Sequence, residues 1–182
     1  RKSRTAEARF LRAYNYFSMV KRYGGVPLIT EPQDINASHE ELYRSRNKEQ
    51  EIYDFVLSEM DAIVGDLPER GGTEYGRPSK YTALALKGRA ALYAGSIASN
   101  GTVELNGVTG ISAPETGYYQ QAYDAAKLIM NSGQYALYNA DNDKVTNFKN
   151  IFLQKNNTEV IWAVRHDYMQ RKTGGNGWVR DF

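Results

Sequence analysis

The chain has 182 residues, 41% of them hydrophobic, which is enough to bury a core as one domain or as part of a larger one. Its 23 Lys and Arg against 21 Asp and Glu give a formal charge of +2, so no strong positive field is available to hold nucleic acid. The lack of cysteine excludes disulfides, a thiol nucleophile and a cysteine-based zinc site.

The first predicted helix covers about residues 5–23. Its apolar positions recur every three to four residues, while Arg9, Arg12 and Lys21 are expected on the side facing water. Gly24 and the glycine after it end the helix, because glycine tolerates the left-handed backbone found at helix ends. An extended segment with a proline follows.

The second long helix is predicted to start with Asn47 as its cap and Gln50 at the capping-box position, and to continue to Leu67, where Pro68 closes it. One helical turn is expected earlier, over residues 38–43. The acidic residues of the long helix are expected to form a solvated face; they are Glu49, Glu51, Asp54, Glu59, Asp61 and Asp66.

Two more helices are predicted over about residues 79–98 and 118–131. The first is dense in alanine and glycine, and such small side chains let neighbouring helices approach closely. The polar stretch 99–117 between them is interpreted as a surface insertion with a short hairpin.

The last part of the chain has a different pattern. Phe148, Ile151 and Phe152 predict one more packed helical turn, and residues 160–164 form the best strand pattern of the chain, with Trp162 expected in the core. A loop-like tail follows.

The helices form two pairs, at about 5–67 and 79–133, followed by a strand-and-loop tail at 148–182. Tyr53-Asp54 with Met60 is echoed by the same spacing in the second pair, which indicates a degenerate repeat. The predicted fold class is therefore mainly α, with tetratricopeptide-like helical pairs, loop insertions and a short C-terminal strand.

No catalytic, metal or cofactor site is predicted. The glycine-rich loop at 71–76 has the spacing of a phosphate-binding loop, but Arg77 and Pro78 replace the required Lys and Ser/Thr. His39 and His166 are far apart in the sequence and have no paired ligand at helical spacing. The carboxylates show no pair of the kind that glycoside hydrolysis needs, so an enzyme is not expected.

Four stretches in order resemble the SusD/RagB family of surface glycan-binding lipoproteins. They are Ala6–Leu28, Glu51–Pro68, Gly76–Tyr93, and Tyr119–Leu137 with Glu159–Trp162. The resemblance implies that residues 1–182 are a fragment of a single SusD-like domain, whose N- and C-terminal parts are absent from this sequence.

The resemblance also implies a function without catalysis. Such proteins lie on the outward face of the outer membrane, anchored by a lipid on the N-terminus that is missing here. They bind an oligosaccharide or other nutrient and deliver it to a SusC-like TonB-dependent transporter. An alternative is a tetratricopeptide-type scaffold that binds proteins and no sugar.

The candidate ligand-binding residues follow from their chemistry rather than from the resemblance. Trp178, Tyr168 and Asn176 share the tail, where an aromatic face could stack on a sugar ring and an amide could hydrogen-bond to it. The alternative for Trp178 is a packing role against the missing C-terminal part. The identity of the sugar is not expected to be readable from these residues.

Overall fold

The computed structural model describes residues 1–72, 76–154 and 157–163. Within these ranges the chain forms six α-helices and one short 3-10 turn. The helices are α1 (Lys2–Tyr23), α2 (His39–Leu42), α3 (Glu49–Ile63), α4 (Lys80–Asn100), α5 (Glu115–Asn131) and α6 (Lys144–Leu153), and the 3-10 turn is Leu105–Gly107. None of the helices in the described part of the chain combines the length and the hydrophobicity that crossing a membrane requires.

The core lies where two helix pairs meet. Helix α1 packs against α3, α4 packs against α5, and α3 joins the two pairs by packing against α4. Fully buried side chains from the first pair fill the centre, among them Phe10, Phe17, Ile52 and Val56. Each such side chain contributes about 1.5–3 kcal/mol through removal from water. The predicted mainly α fold of helical pairs is confirmed.

Small residues on α4 set its distance from α5. A methyl group added to Gly88 would lie 3.7 Å from the Ala122 carbonyl oxygen, and one added to Gly95 would lie 2.7 Å from the Tyr119 ring. The two helices therefore approach more closely than larger side chains would allow, as the composition of α4 predicts.

The predicted cap of α3 is wrong by one residue. Lys48 is the N-cap, and its backbone N–H donates to the Glu51 carboxylate at 3.1 Å. Asn47 instead accepts a hydrogen bond from the Leu28 N–H at 2.8 Å and so fastens the extended segment after α1. Gln50 plays no part in the cap, and the helix ends at Ile63, four residues before Leu67.

The residues that repeat in sequence between the two helix pairs are not buried to the same extent. Tyr53 and Met60 of α3 are fully buried, whereas Tyr123 and Met130 of α5 are exposed. The reason is that α3 is covered by α1 and by α4, while α5 packs mainly against α4.

In the insertion between α4 and α5, the predicted short hairpin is reduced to a single β-bridge. Glu104 and Thr109 form an isolated antiparallel bridge around the 3-10 turn. The segment is less superficial than predicted, because Ile111 is buried and the Gly25 N–H donates to the Val108 carbonyl at 2.6 Å. The insertion thus covers the end of α1.

Two predictions for the last part of the chain are wrong in the described residues. The packed turn is a helix, α6, but Phe148 and Phe152 are 66% and 74% exposed. Residues 160–163 are not in a strand, and Val164 lies outside the described residues. A strand requires a hydrogen-bonding partner strand, and 160–163 have none within the described ranges.

Candidate ligand-binding region

The predicted ligand residues Tyr168, Asn176 and Trp178 lie outside the described residues, as does His166. The segment that leads to them is held by Trp162. Its ring packs edge-on against the rings of Phe10 and Tyr14, with centroids 5.5 Å apart in each case. Its indole N–H donates to the Gly76 carbonyl at 2.9 Å. Trp162 therefore lies at the edge of the core and fixes the described segment 157–163 to α1.

Glu59 of α3 is a buried acid, 7% exposed, and does not belong to a solvated face. Its carboxylate accepts hydrogen bonds from Arg9 at 2.6 and 3.1 Å and from Arg12 at 2.8 Å. Burial alone would raise the pKa of Glu59, but the hydrogen bonds and charges of the two arginines outweigh it and lower the pKa. Arg9 and Arg12 thus face α3, which corrects their predicted place on the side facing water.

Glu7 of α1 forms a second ion pair across the fold. It accepts two hydrogen bonds from the Arg77 guanidinium, one of them from Nε at 3.0 Å, and it lies 3.6 Å from Arg4. The bidentate geometry is the one in which arginine and carboxylate interact most strongly. This pair ties α1 to the loop that precedes α4.

Glu49, at the start of α3, is a third buried acid and is also 7% exposed. One carboxylate oxygen accepts a hydrogen bond from the Gly110 N–H at 2.6 Å, which holds the α4–α5 insertion against α3. Burial raises the pKa of Glu49 by more than this hydrogen bond lowers it. One turn later, the buried Tyr53 hydroxyl has no hydrogen-bond partner among the described residues, and burial raises the pKa of Tyr53.

The other acids of α3, and Asp66 just after its end, agree with the predicted solvated face. Glu51, Asp54, Asp61 and Asp66 are exposed. For Glu49 and Glu59 the predicted place on the solvated face is wrong. That prediction rests on their charge, whereas their spacing along α3 indicates the packed side. Both fall three to four residues from buried apolar positions of α3 and therefore on its packed side.

This arrangement does not present a pair of facing catalytic carboxylates within the described ranges. Glu7 and Glu59 are neutralised by arginines, and Glu49 is bound to backbone. Across the same ranges no group of three His, Asp or Glu side chains is placed to hold a metal ion. The described acids therefore join structural elements.

Exposed aromatic side chains are the described feature best suited to contact a ligand. Tyr43, at the end of α2, is 72% exposed and stacks on His39 with the ring centroids 4.2 Å apart and the planes 18° apart. Aromatic rings present an apolar face that stacks on flat or apolar ligand surfaces.

Comparison with known proteins identifies the family. The model of a SusD-like family, described as starch-binding and associating with the outer membrane, matches residues 1–92. A SusD-like protein of Bacteroides ovatus is 28% identical over 152 residues, which cover 84% of this chain and 24% of that protein.

Solved structures show the same fold. A SusD-like protein from Bacteroides fragilis has a TM-score of 0.69 at 30% identity, covering 91% of this chain and 27% of the other. A SusD-like carbohydrate-binding protein of the same species has a TM-score of 0.56 at 24% identity, covering 75% and 22%. The chain spans about a quarter of the length of these relatives. With half of its residues matched by the family model, the chain belongs to the SusD-like family.

Proposed function

We propose that the protein to which this chain belongs captures oligosaccharides and delivers them to a TonB-dependent outer-membrane transporter without cleaving them. The observation that carries the proposal is the match of residues 1–92 to a family described as starch-binding and associating with the outer membrane. The relative of known structure that is named a carbohydrate-binding protein has the same helical fold and supports it.

The chemistry of the described acids supports capture without cleavage. Glycoside hydrolysis needs two carboxyl groups on either side of the scissile bond, one of them free to donate a proton. Glu59 and Glu7 are each held by arginine side chains, and Glu49 is covered by the α4–α5 insertion. A sugar bound near these helices would therefore meet aromatic and amide groups rather than an acid pair.

Tyr168, Asn176 and Trp178 remain the proposed ligand contacts of the tail. Trp162 supports this proposal, because its contacts with Phe10 and Tyr14 fix the described segment 157–163, which precedes these residues in the sequence. A site that starts from a fixed point loses less conformational entropy when it binds. The alternative role of Trp178, packing against further polypeptide, predicts lost stability instead of lost binding.

We place the protein on the outward face of the outer membrane, held there by an N-terminal lipid. The family description, associating with the outer membrane, supports the membrane part of this proposal, and the proposed location would bring the helical pairs next to a SusC-like transporter. Copurification of the lipidated full-length protein with its transporter tests this part. A protein that is purified alone from solubilised outer membranes would contradict the delivery step.

The binding step is tested with a glycan screen on the full-length protein. Wild-type protein, Trp178→Ala and Trp178→Phe are compared by calorimetry on any oligosaccharide that binds. We expect alanine to weaken binding about tenfold and phenylalanine to retain most of it, since an aromatic face is what a sugar ring stacks on. Equal affinity of all three proteins would place the site elsewhere, and no binding of any glycan would contradict capture.

The second candidate is a protein-binding scaffold without sugar binding. It is favoured by the exposed apolar residues of α6, namely Val145, Phe148, Phe152 and Leu153. Exposed apolar patches of this kind often mark protein–protein contacts. Under this hypothesis, replacement of Phe148 and Phe152 by serine would abolish copurification with the transporter. Neither the wild-type protein nor the variant would bind any glycan.

A further inference from the structure

We propose that residues 31–46 carry a saccharide contact separate from the tail, built on the exposed ring of Tyr43 and selective for neutral sugars. The proposal rests on the proposed function, glycan capture, and names a site and a ligand class for it. It does not depend on Tyr168, Asn176 or Trp178.

The Tyr43 ring is exposed on one side and supported on the other. His39 stacks against it with centroids 4.2 Å apart and an interplanar angle of 18°, so one face of the phenol ring is covered by imidazole. The side chain is nevertheless 72% exposed, which leaves its other face open to solvent. The axial C–H groups of a pyranose form an apolar patch of similar size, and burial of that patch against an aromatic ring removes apolar surface from water.

The backbone around this ring is ordered by local hydrogen bonds instead of by the core. Ser38 caps α2 in a reciprocal arrangement with Glu41, at 3.3 Å in each direction. The Gln33 amide donates to the carbonyls of Glu41 and Leu42, at 2.9 and 3.3 Å, and closes the segment into a loop. None of residues 31–46, all of which the structure describes, is buried.

Because the backbone of residues 31–46 is held by hydrogen bonds although it is not buried, binding a ligand should cost this segment little conformational entropy. Exposed segments usually lose conformational entropy when a ligand fixes them, and that loss weakens binding. Here the cap and the Gln33 bridge already hold the backbone of Tyr43, and the His39 stack already holds its ring. Packing of the core does not explain why a tyrosine is held in this exposed position, whereas a ligand contact does.

The charges of the segment select the class of saccharide. Four acids, Glu31, Asp34, Glu40 and Glu41, outnumber Arg44 and Arg46. Arg46 is turned away, since its guanidinium donates to the carbonyls of Gly25, at 2.7 Å, and Tyr23. Uronic-acid or sulfated sugars would be repelled by this surface, whereas neutral sugars can hydrogen-bond to the Gln33 carbonyl oxygen and to the Arg44 nitrogens other than Nε, which donates to the Glu41 carbonyl.

The test measures affinity with the full-length protein and five defined probes. The neutral probes are maltoheptaose, xylohexaose, cellohexaose and mannohexaose, and the acidic probe is the hexamer of galacturonic acid. The variants are Tyr43→Ala, Tyr43→Phe and His39→Ala. The matched control is Tyr123→Ala, which removes a tyrosine that is exposed to a similar degree, 58%, from a different helix.

We expect Tyr43→Ala to weaken binding of a neutral probe about 3- to 10-fold, while Tyr43→Phe and the control bind like wild type. His39→Ala should weaken binding about 2- to 3-fold, because the ring is then free to move. Melting temperatures should stay unchanged, since neither side chain is buried. Wild-type affinity of Tyr43→Ala, or a preference for the acidic hexamer, would overturn the proposed site. Failure of the wild-type protein to bind any probe would overturn the proposed function, and this site with it.

Discussion

The carboxylate of Glu59 lies between two arginines of α1, 2.6 Å from Arg9 Nη2 and 2.8 Å from Arg12 Nη2. Arg12 also donates to the Thr30 carbonyl at 2.9 Å, so the same cluster holds the extended segment after α1. One acid therefore aligns α1 with α3 and directs the chain toward the exposed segment 31–46. Loss of its charge should affect the whole first helix pair.

Glu59→Gln is expected to destabilise the protein by about 2 kcal/mol. The amide keeps the size of the side chain but removes the negative charge, and its NH2 group faces donors on Arg9 and Arg12. The loss should be smaller than for a fully buried pair, which costs about 3–5 kcal/mol, because the arginines are about one-third exposed. Urea unfolding of the full-length protein measures the change in the free energy of unfolding.

Asp61→Asn is the matched control for this substitution. Asp61 lies two residues further along α3 and pairs with Lys87 at 2.6 Å, but its side chain is exposed. Surface ion pairs contribute about 0–1 kcal/mol. If the free energy of unfolding falls by the same small amount in both variants, the arginine cluster does not hold the helix pair together.

Acid should remove the contribution of Glu59. Its folded-state pKa is lowered below the ordinary value of 4.5, so the carboxylate stabilises the native state at neutral pH. This stabilisation begins to fall as the pH drops below the unfolded-state value and is lost once the pH passes the folded-state value. The difference in stability between wild type and Glu59→Gln should therefore shrink below about pH 4.5. A difference that stays constant from pH 7 to pH 3 would show that the charge of Glu59 is not the cause.

The helical part of the fold could be predicted because it depends on local spacing. The apolar repeats of α1, α3, α4 and α5 appear in the sequence at three- and four-residue intervals, and each forms a helix. The end of α3 and the role of Asn47 could not be predicted in the same way. Asn47 can cap a helix, but here its side chain binds Leu28, 19 residues earlier, and such contacts are set by tertiary structure.

The burial of Glu49 and Glu59 could not be predicted for the same reason, since it depends on contacts between distant parts of the chain. A glutamate on a helix is expected to face water unless a partner covers it. The partners of Glu59, Arg9 and Arg12, are 50 and 47 residues away in the sequence, and the partner of Glu49 is the backbone of Gly110, 61 residues away. A backbone N–H donor can belong to almost any residue type, so the sequence does not reveal it. The burial of Glu49 could be predicted only from its position on the side of α3 that carries the buried apolar residues.

Glu49→Gln should have the opposite pH behaviour to Glu59→Gln. Glutamine can still accept the hydrogen bond from Gly110, but it has no charge to bury. Because the folded-state pKa of Glu49 is raised above 4.5, ionisation costs stability as the pH rises from the unfolded-state value through the folded-state value. At pH 7 the variant should be as stable as wild type or more stable, and any advantage should disappear below about pH 4.5. Urea unfolding at pH 4, 5.5 and 7 measures this, and a variant that is clearly less stable at pH 7 would contradict it.

Gly25→Ala should be the most damaging small substitution at the junction of α1, α3 and the insertion. A methyl group on Gly25 would lie 1.8 Å from the Asn47 carbonyl oxygen, and the Gly25 N–H is already bonded to the Val108 carbonyl. Backbone on both sides cannot move without displacing the start of α3. We expect a loss of about 3 kcal/mol or more, or loss of soluble protein.

Gly65→Ala provides the control for this position. Gly65 follows α3, and a methyl group there would meet nothing within 4 Å in the described structure. Its effect on the free energy of unfolding should stay within about 0.5 kcal/mol, as for other surface substitutions. Thermal unfolding of both variants in the full-length protein compares them directly. A Gly25→Ala protein as stable as Gly65→Ala would mean that the contact between α1, α3 and the insertion is looser than its hydrogen bonds indicate.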